Sequence, residues 1–183
     1  MDVALRYGPR ATMPSQALRM FGEQLTPLAS PWLLKSGPPL KKPTDLAQFA
    51  LIDAGDAYRT HLQWLTWRRW FDQHPLTQFQ PKRWLVFNDA YQMVQAALAG
   101  QGVVLARLPM VSESMASGDL VEPLPGLRMD SPMAYWLILG PRSEGRPEIR
   151  AFRDWLMAES QATRTAIDEV PDPDTVDHID PID

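Results

Sequence analysis

The stretch FNDAYQMVQAALAGQGVVLARLP, Phe87 to Pro109, restricts the fold of this chain more than any other segment. It reads as the end of a strand, a capped helix, a glycine turn, a buried strand and the start of a further helix. Asp89 stands where a carboxylate accepts the orphan amides of the helix that follows. Gly100 stands where a left-handed residue stops that helix. Gly100 and Gly102 invite comparison with a dinucleotide-binding fingerprint, but Leu105 occupies the place of the required third glycine. The pair is therefore read as a helix stop and a turn into the strand.

Short apolar strands alternate with amphipathic helices along the rest of the chain, which predicts α/β architecture. Asp2–Arg6 reads as the first strand, residues 20–30 as a crossover, Pro43–Phe49 as a short helix and Leu51-Ile52 as a small strand. A helix around His61–Asp72 precedes a strand at Trp84–Phe87, a helix at Asp89–Ala99 and a strand at Val103–Ala106. Residues 109–117 read as helical, Leu120-Val121 as extended and Ala134–Leu139 as a buried strand. Pro147, suited to a first helical turn, opens a last helix with Ile149, Phe152 and Leu156 on one face.

At 183 residues and 45% hydrophobic content, the chain can bury a sizeable core in one domain or two small lobes. It has no cysteine, so disulfides and thiolate chemistry are excluded. No apolar run is long enough to span a bilayer, and the first twenty residues lack a signal-peptide core, which predicts a cytoplasmic protein with no membrane partner. The net charge of −4 conceals an asymmetry. Seven acids and no Lys or Arg fall in residues 168–183. An acidic, proline-punctuated segment cannot bury enough apolar area to offset its ordering entropy, so residues 161–183 are expected to form a disordered tail.

Three blocks in order point to a family. The first is Asp2-Val3-Ala4-Leu5-Arg6-Tyr7-Gly8. The second runs from Leu25-Thr26-Pro27-Leu28-Ala29-Ser30-Pro31 through Pro43-Thr44-Asp45-Leu46. The third is the Phe87–Pro109 stretch, continued by Ser117-Gly118-Asp119-Leu120-Val121 and Ala134-Tyr135-Trp136-Leu137. Together they resemble the effector-binding domain of LysR-type transcriptional regulators, in the branch of the glycine-cleavage activator and the β-lactamase regulators. The resemblance covers about residues 2–158. It implies two Rossmann-like lobes of the type II periplasmic-binding-protein-like fold, one from residues 1–20 with 123–160 and the other from 21–122, with an effector between them. It also implies that the chain opens inside the effector domain, without the family's winged helix-turn-helix, so that either Met1 stands at an internal valine codon or the chain is a truncated remnant. On that reading the first lobe lacks a strand and a helix, and unpaired amides and apolar surface predict aggregation or swapping.

The resemblance and the strand ends nominate six effector-binding residues. Arg6 and Tyr7 end the first strand, where α/β ligands bind beyond the carboxyl ends, and Arg6 either grips a carboxylate bidentately or is a solvated arginine. Ser30 begins a helix, where it binds an anion or caps the helix. Asn88 and Asp89 begin the 89–99 helix and face the cleft by resemblance, with capping the competing role for Asp89. Tyr135 points into the cavity by resemblance, and core packing is its competing role.

Trp64, Trp67 and Trp70, interleaved with Arg68 and Arg69, suit a nucleic-acid stacking platform by composition, but helical spacing favours a core face. Enzyme chemistry finds no support: there is no G-x-S-x-G elbow, and His61, His74 and His178 lack metal-ligand spacing. Neither a catalytic residue, a metal nor a cofactor is assigned. The leading function is that of a bacterial sensor domain for a small polar effector of the amino-acid or carboxylate kind. It would act in a homodimer or tetramer and reach DNA only through the missing N-terminal domain. The alternative is a truncated stand-alone ligand-binding or dimer-interfering module.

Overall fold

The computed structural model describes residues 2–55, 65–74, 76, 79–143 and 145–169. Two compact units emerge: Glu23–Ser131, and the chain up to Gly22 together with the chain from Pro132 onward. Two long strands, β2 (Leu18–Leu28) and β6 (Met129–Leu139), run from one unit into the other.

The Glu23–Ser131 unit contains the elements that the Phe87–Pro109 stretch predicts. Its strands lie in the order β2–β5–β3–β4, with β3 (Ala50–Ala54) parallel both to β4 (Arg83–Phe87) and to β5 (Val103–Arg107), and β2 antiparallel to β5. The helices are α1 (Pro31–Ser36), α2 (Trp67–Gln73), α3 (Ala90–Leu98) and α4 (Leu108–Ala116). A 3-10 helix spans Pro43–Gln48. Asp89 caps α3 by accepting the Gln92 amide at 3.0 Å. Gly100 has φ +70°, the left-handed stop predicted for it. Asp45 accepts the amides of Lys41 and Lys42 at 2.9 and 3.1 Å, tightening the entry to the 3-10 turn.

Two cores occupy the faces of this sheet. One gathers Leu25, Leu46, Leu51, Val103, Trp67 and Trp70, and the other packs Met93, Ala96 and Ala97 of α3 on Leu28, Ile52, Val104 and Ala106. The two tryptophans are fully buried, and their indole N–H groups donate to the carbonyls of Ile52 and Leu127 at 2.8 and 3.0 Å. That removes both from any nucleic-acid platform, in agreement with the helical spacing. Trp64 and the start of the helix expected from His61 lie outside the described residues; the described helix begins at Trp67 with Thr66 as its cap.

In the other unit, β1 (Val3–Pro9) pairs antiparallel with β6, from Val3 opposite Leu139 to Pro9 opposite Met133. The strand therefore continues three residues beyond the expected end at Arg6, because an antiparallel partner of eleven residues carries the ladder on. A small core of Ala17, Ala134, Trp136 and Ile138 is sealed by Met13 and Ala4. The Trp136 indole donates to the Gly8 carbonyl at 2.8 Å, and the Arg10 guanidinium lies 5.1 Å from its ring centroid, within cation–π range.

The last helix, α5 (Pro147–Ala166), starts at the predicted proline but outruns the expected boundary at 160. Arg164 donates to the carbonyls of Met20 and Arg19 at 2.5 and 2.7 Å, Ile167 is buried, and Glu169 pairs with Arg19 and accepts the Gly22 amide at 2.9 Å. Residues 161–169 are thus tied to β2 and do not belong to the expected disordered tail. Composition misplaces the boundary because it counts Glu169 as a solvated acid, whereas the fold gives it a cation and an amide. Residues 170–183 lie outside the described residues.

Candidate functional site

Parallel strands bring their carboxyl ends to one edge of a sheet, and helices that follow them present their amino ends there, which makes that edge the usual ligand site. In the Glu23–Ser131 unit β3 ends at Ala54, β4 at Phe87 and β5 at Arg107, followed by the amino ends of α3 and α4. An apolar pocket of about 50 Å³ opens there between Ala54, Ala90, Met93, Ala106, Arg107 and Met110. By itself it has room for a methyl or a short side chain, not for a whole metabolite. Asn88 and Asp89, both exposed, immediately precede Ala90 of its wall. A side chain at Gly55 would put its Cβ 2.7 Å from Asn88 Oδ1, so glycine is what allows the Asn88 amide to lie against the end of β3.

Arg107 supplies the cation at this pocket. Its Nε bonds Glu23, whose side chain is wholly buried, while Arg107 itself is 18% exposed. A buried carboxylate needs such a partner, and a cation already paired in this way is a poor receptor for a second anion. The pocket consequently favours an apolar group, with polar contacts available from Asn88 outside it. Nearby in sequence, Asp53 is 4% exposed at the end of β3. Sequence reasoning nominates neither Arg107 nor Asp53; a strand-end arginine reads as solvated, although the lone acid in the apolar run Ala50-Leu51-Ile52-Asp53-Ala54 is a usable signal.

Within the Glu23–Ser131 unit the three nominated residues Ser30, Asn88 and Asp89 do not form one constellation. Asp89 is engaged as the α3 cap. Ser30 is buried at 4%, accepts the Leu33 amide at 3.3 Å as the α1 cap, and lies 3.4 Å from where a Cβ on Gly100 would be. It belongs to the carboxyl end of α3, about 13 Å from Asn88 by the rise of a nine-residue helix. Ser30 and Asn88–Asp89 therefore do not meet.

In the other unit, Tyr7 pairs with Tyr135, ring centroids 5.0 Å apart, and the Phe21 ring lies tilted against Tyr135 at 4.7 Å. Arg6 is opposite Trp136 in the ladder. Successive strand residues alternate faces, so exposed Arg6 leaves the sheet on the face opposite Tyr7 and Tyr135. The expectation that Arg6 and Tyr7 end the first strand is corrected: β1 runs on to Pro9, so both are mid-strand, and their side chains leave on opposite faces. Among the described residues no group of three or more His, Asp or Glu could hold a metal ion, and no helix is long and apolar enough to cross a membrane.

Parallel strands followed by helices at a shared edge define the α/β class of this unit, and the family model for the LysR substrate binding domain matches residues 1–161. The chain belongs to that family. It is 34% identical to the glycine cleavage system transcriptional activator of Escherichia coli K12 over 163 residues, 88% of this chain and 50% of the relative. It is 32% identical to the HTH-type transcriptional activator AmpR of Pseudomonas aeruginosa, over 86% of this chain and 49% of the relative. The chain thus spans about half the length of the curated relatives it matches. The solved AmpR effector-binding domain of Citrobacter freundii superposes with a TM-score of 0.65 at 26% identity, covering 88% of this chain and 76% of that one. The effector domain of Pseudomonas aeruginosa AmpR gives 0.65 at 28% identity, covering 93% and 77%. The fold is that of these effector domains, the periplasmic-binding-protein-like α/β class predicted from sequence.

Proposed function

We propose that this chain is the sensor part of a LysR-type transcriptional regulator of the cytoplasm, binding a small polar effector of the amino-acid or carboxylate kind. The observation that supports this most is the pocket at the carboxyl ends of β3 and β5 and the amino end of α3, in a chain whose family is defined by effector binding. The effector's apolar part enters the pocket beside Met93 and Met110, and its polar part meets Asn88. Tyr7 and Tyr135 are the candidates of the other unit, and Arg6 and Ser30 take no part in this contact. Binding controls transcription only if the effector prefers one conformation of the regulator over another; affinity that is equal for both shifts nothing. DNA is reached through a domain outside this sequence, in a dimer or tetramer.

Thermal unfolding with a panel of amino acids and small carboxylates tests the reading. A ligand at a hundred times its dissociation constant adds about 2.7 kcal/mol of stability. For a chain of this size that raises the melting temperature by roughly 5–10 °C. One panel member should do this, and Asn88→Ala should abolish the rise without lowering the unliganded melting temperature by more than about 2 °C. A flat response across the panel, both in this chain and in a version extended upstream in frame, would overturn the proposal.

A further inference from the structure

At the opposite edge of the Glu23–Ser131 unit, where β3 and β4 begin and α3 ends, a second depression of about 580 Å³ opens. That volume is in the range of small-molecule sites, which run from about 300 to 1,000 Å³. Its wall includes Trp32, Gln48, Lys82, Arg83 and Gln101 and contains no carboxylate. Sequence reasoning nominates none of these residues.

Trp32 is 66% exposed, yet its ring is located. A Cβ on Gly100 would come within 2.5 Å of the indole Cε3 and 2.8 Å of Cζ3, so the ring rests against the bare glycine that stops α3. An exposed aromatic held in this way presents a flat apolar face on which a planar ring can stack. Lys82 and Arg83 supply the charge. The Lys82 amide donates to the Phe49 carbonyl at 3.1 Å, which fixes the chain that carries both cations at the start of β4. Neither side chain has an ion-pair partner among the described residues. Lys35 is beside Ser36 of the same wall, and all four lysines of the chain (Lys35, Lys41, Lys42 and Lys82) belong to this unit. Asp45, the acid beside Lys41 and Lys42, is already used by their backbone amides.

We propose that this depression is a second small-molecule site, distinct from the Asn88 edge, for an anion that carries a flat ring: an aromatic carboxylate or a nucleotide. The ring stacks on Trp32, the anionic group meets Lys82 and Arg83, and the amides of Gln48 and Gln101 are placed to bond ring substituents.

The full chain labelled with 5-fluorotryptophan provides the test, with the Trp32 fluorine signal assigned by its loss in Trp32→Phe. Benzoate, AMP, cyclohexanecarboxylate and inorganic phosphate are titrated separately. Benzoate or AMP should move the Trp32 signal saturably, at concentrations at least about tenfold below those needed for cyclohexanecarboxylate or phosphate. The tighter of the two assigns the source of the ring. The double variant K82Q/R83Q should bind at least about fivefold more weakly, while the other tryptophan signals report that it is folded. Asn88→Ala should leave this titration unchanged, which separates failure here from failure at the other edge. A Trp32 signal indifferent to both ring-bearing anions, equal binding of phosphate, or undiminished binding by K82Q/R83Q would overturn the proposal.

Discussion

Glu122 shows how one carboxylate ties a strand to a loop. Arg128 donates to it through Nε at 2.9 Å and through Nη2 at 2.7 Å, and the Thr26 hydroxyl donates at 2.8 Å. The Arg128 hydrogen bond is the main cause holding the Glu122 pKa below its ordinary value of 4.5, with partial burial opposing it and the Thr26 bond assisting. A depressed carboxylate pKa means that the folded state favours the ionised form. The stabilisation is complete above the ordinary glutamate range and is lost as pH falls from about 4.5 through the lower folded value. Glu122→Gln should therefore lower the melting temperature at pH 7 and flatten its decline between about pH 5 and pH 3. Melting curves across that range check it, and an unchanged acid slope would remove Glu122 from the linkage. No pattern in the sequence points to this cluster, since Thr26, Glu122 and Arg128 meet only when β2 and the 122–128 loop come together. Asp89 is legible for the opposite reason: a cap acts three residues away, so its partner Gln92 lies inside the motif.

Helix α3 is the element on which both edges of the Glu23–Ser131 unit depend. Its amino end is set by Asp89 and its carboxyl end by Gly100, and Met93, Ala96 and Ala97 bind it to the sheet. Removing the cap with Asp89→Ala should cost about 1 kcal/mol, and Asp89→Asn should recover most of it. Gly100→Ala should cost more: the left-handed backbone alone penalises an L-residue by about 1–2 kcal/mol. The new methyl must also displace the Trp32 ring. Denaturant unfolding ranks the three variants, and a Gly100→Ala chain as stable as the parent would mean that the turn relaxes freely. Elements built from local signals, such as α3, β5 and the start of α5 at Pro147, can be read in advance. Two ends cannot. The extension of β1 to Pro9 depends on a partner strand some 130 residues away in sequence, and the same pairing sends Arg6 to the face opposite Tyr7. The end of α5 is set by Asp168, at φ +53°, and by buried Ile167 rather than by a glycine, so no familiar stop marks it.

At the scale of the whole molecule, apolar surface is unevenly covered. In the unit built on β1 and β6, Leu5 is 59% exposed, Trp155 56% and Phe152 39%. Phe152 and Trp155 face outward from α5 together, with ring centroids 5.8 Å apart. Single exposed hydrophobics are ordinary on a protein surface, but two adjoining aromatics one turn apart on a helix form a patch. Each aromatic side chain buries about 150–250 Å² when covered, so covering the pair is worth several kcal/mol at about 25 cal/mol per Å². A second copy of the chain, which would bring the same pair to a two-fold contact, is one such cover. Sedimentation velocity tests it. The 183-residue chain should self-associate in a concentration-dependent way, and Trp155→Gln with Phe152→Gln should shift it toward monomer. If the chain dimerises and the two substitutions break the dimer, the patch is the interface between copies. A monomeric 183-residue chain would show instead that Phe152 and Trp155 are tolerated in water.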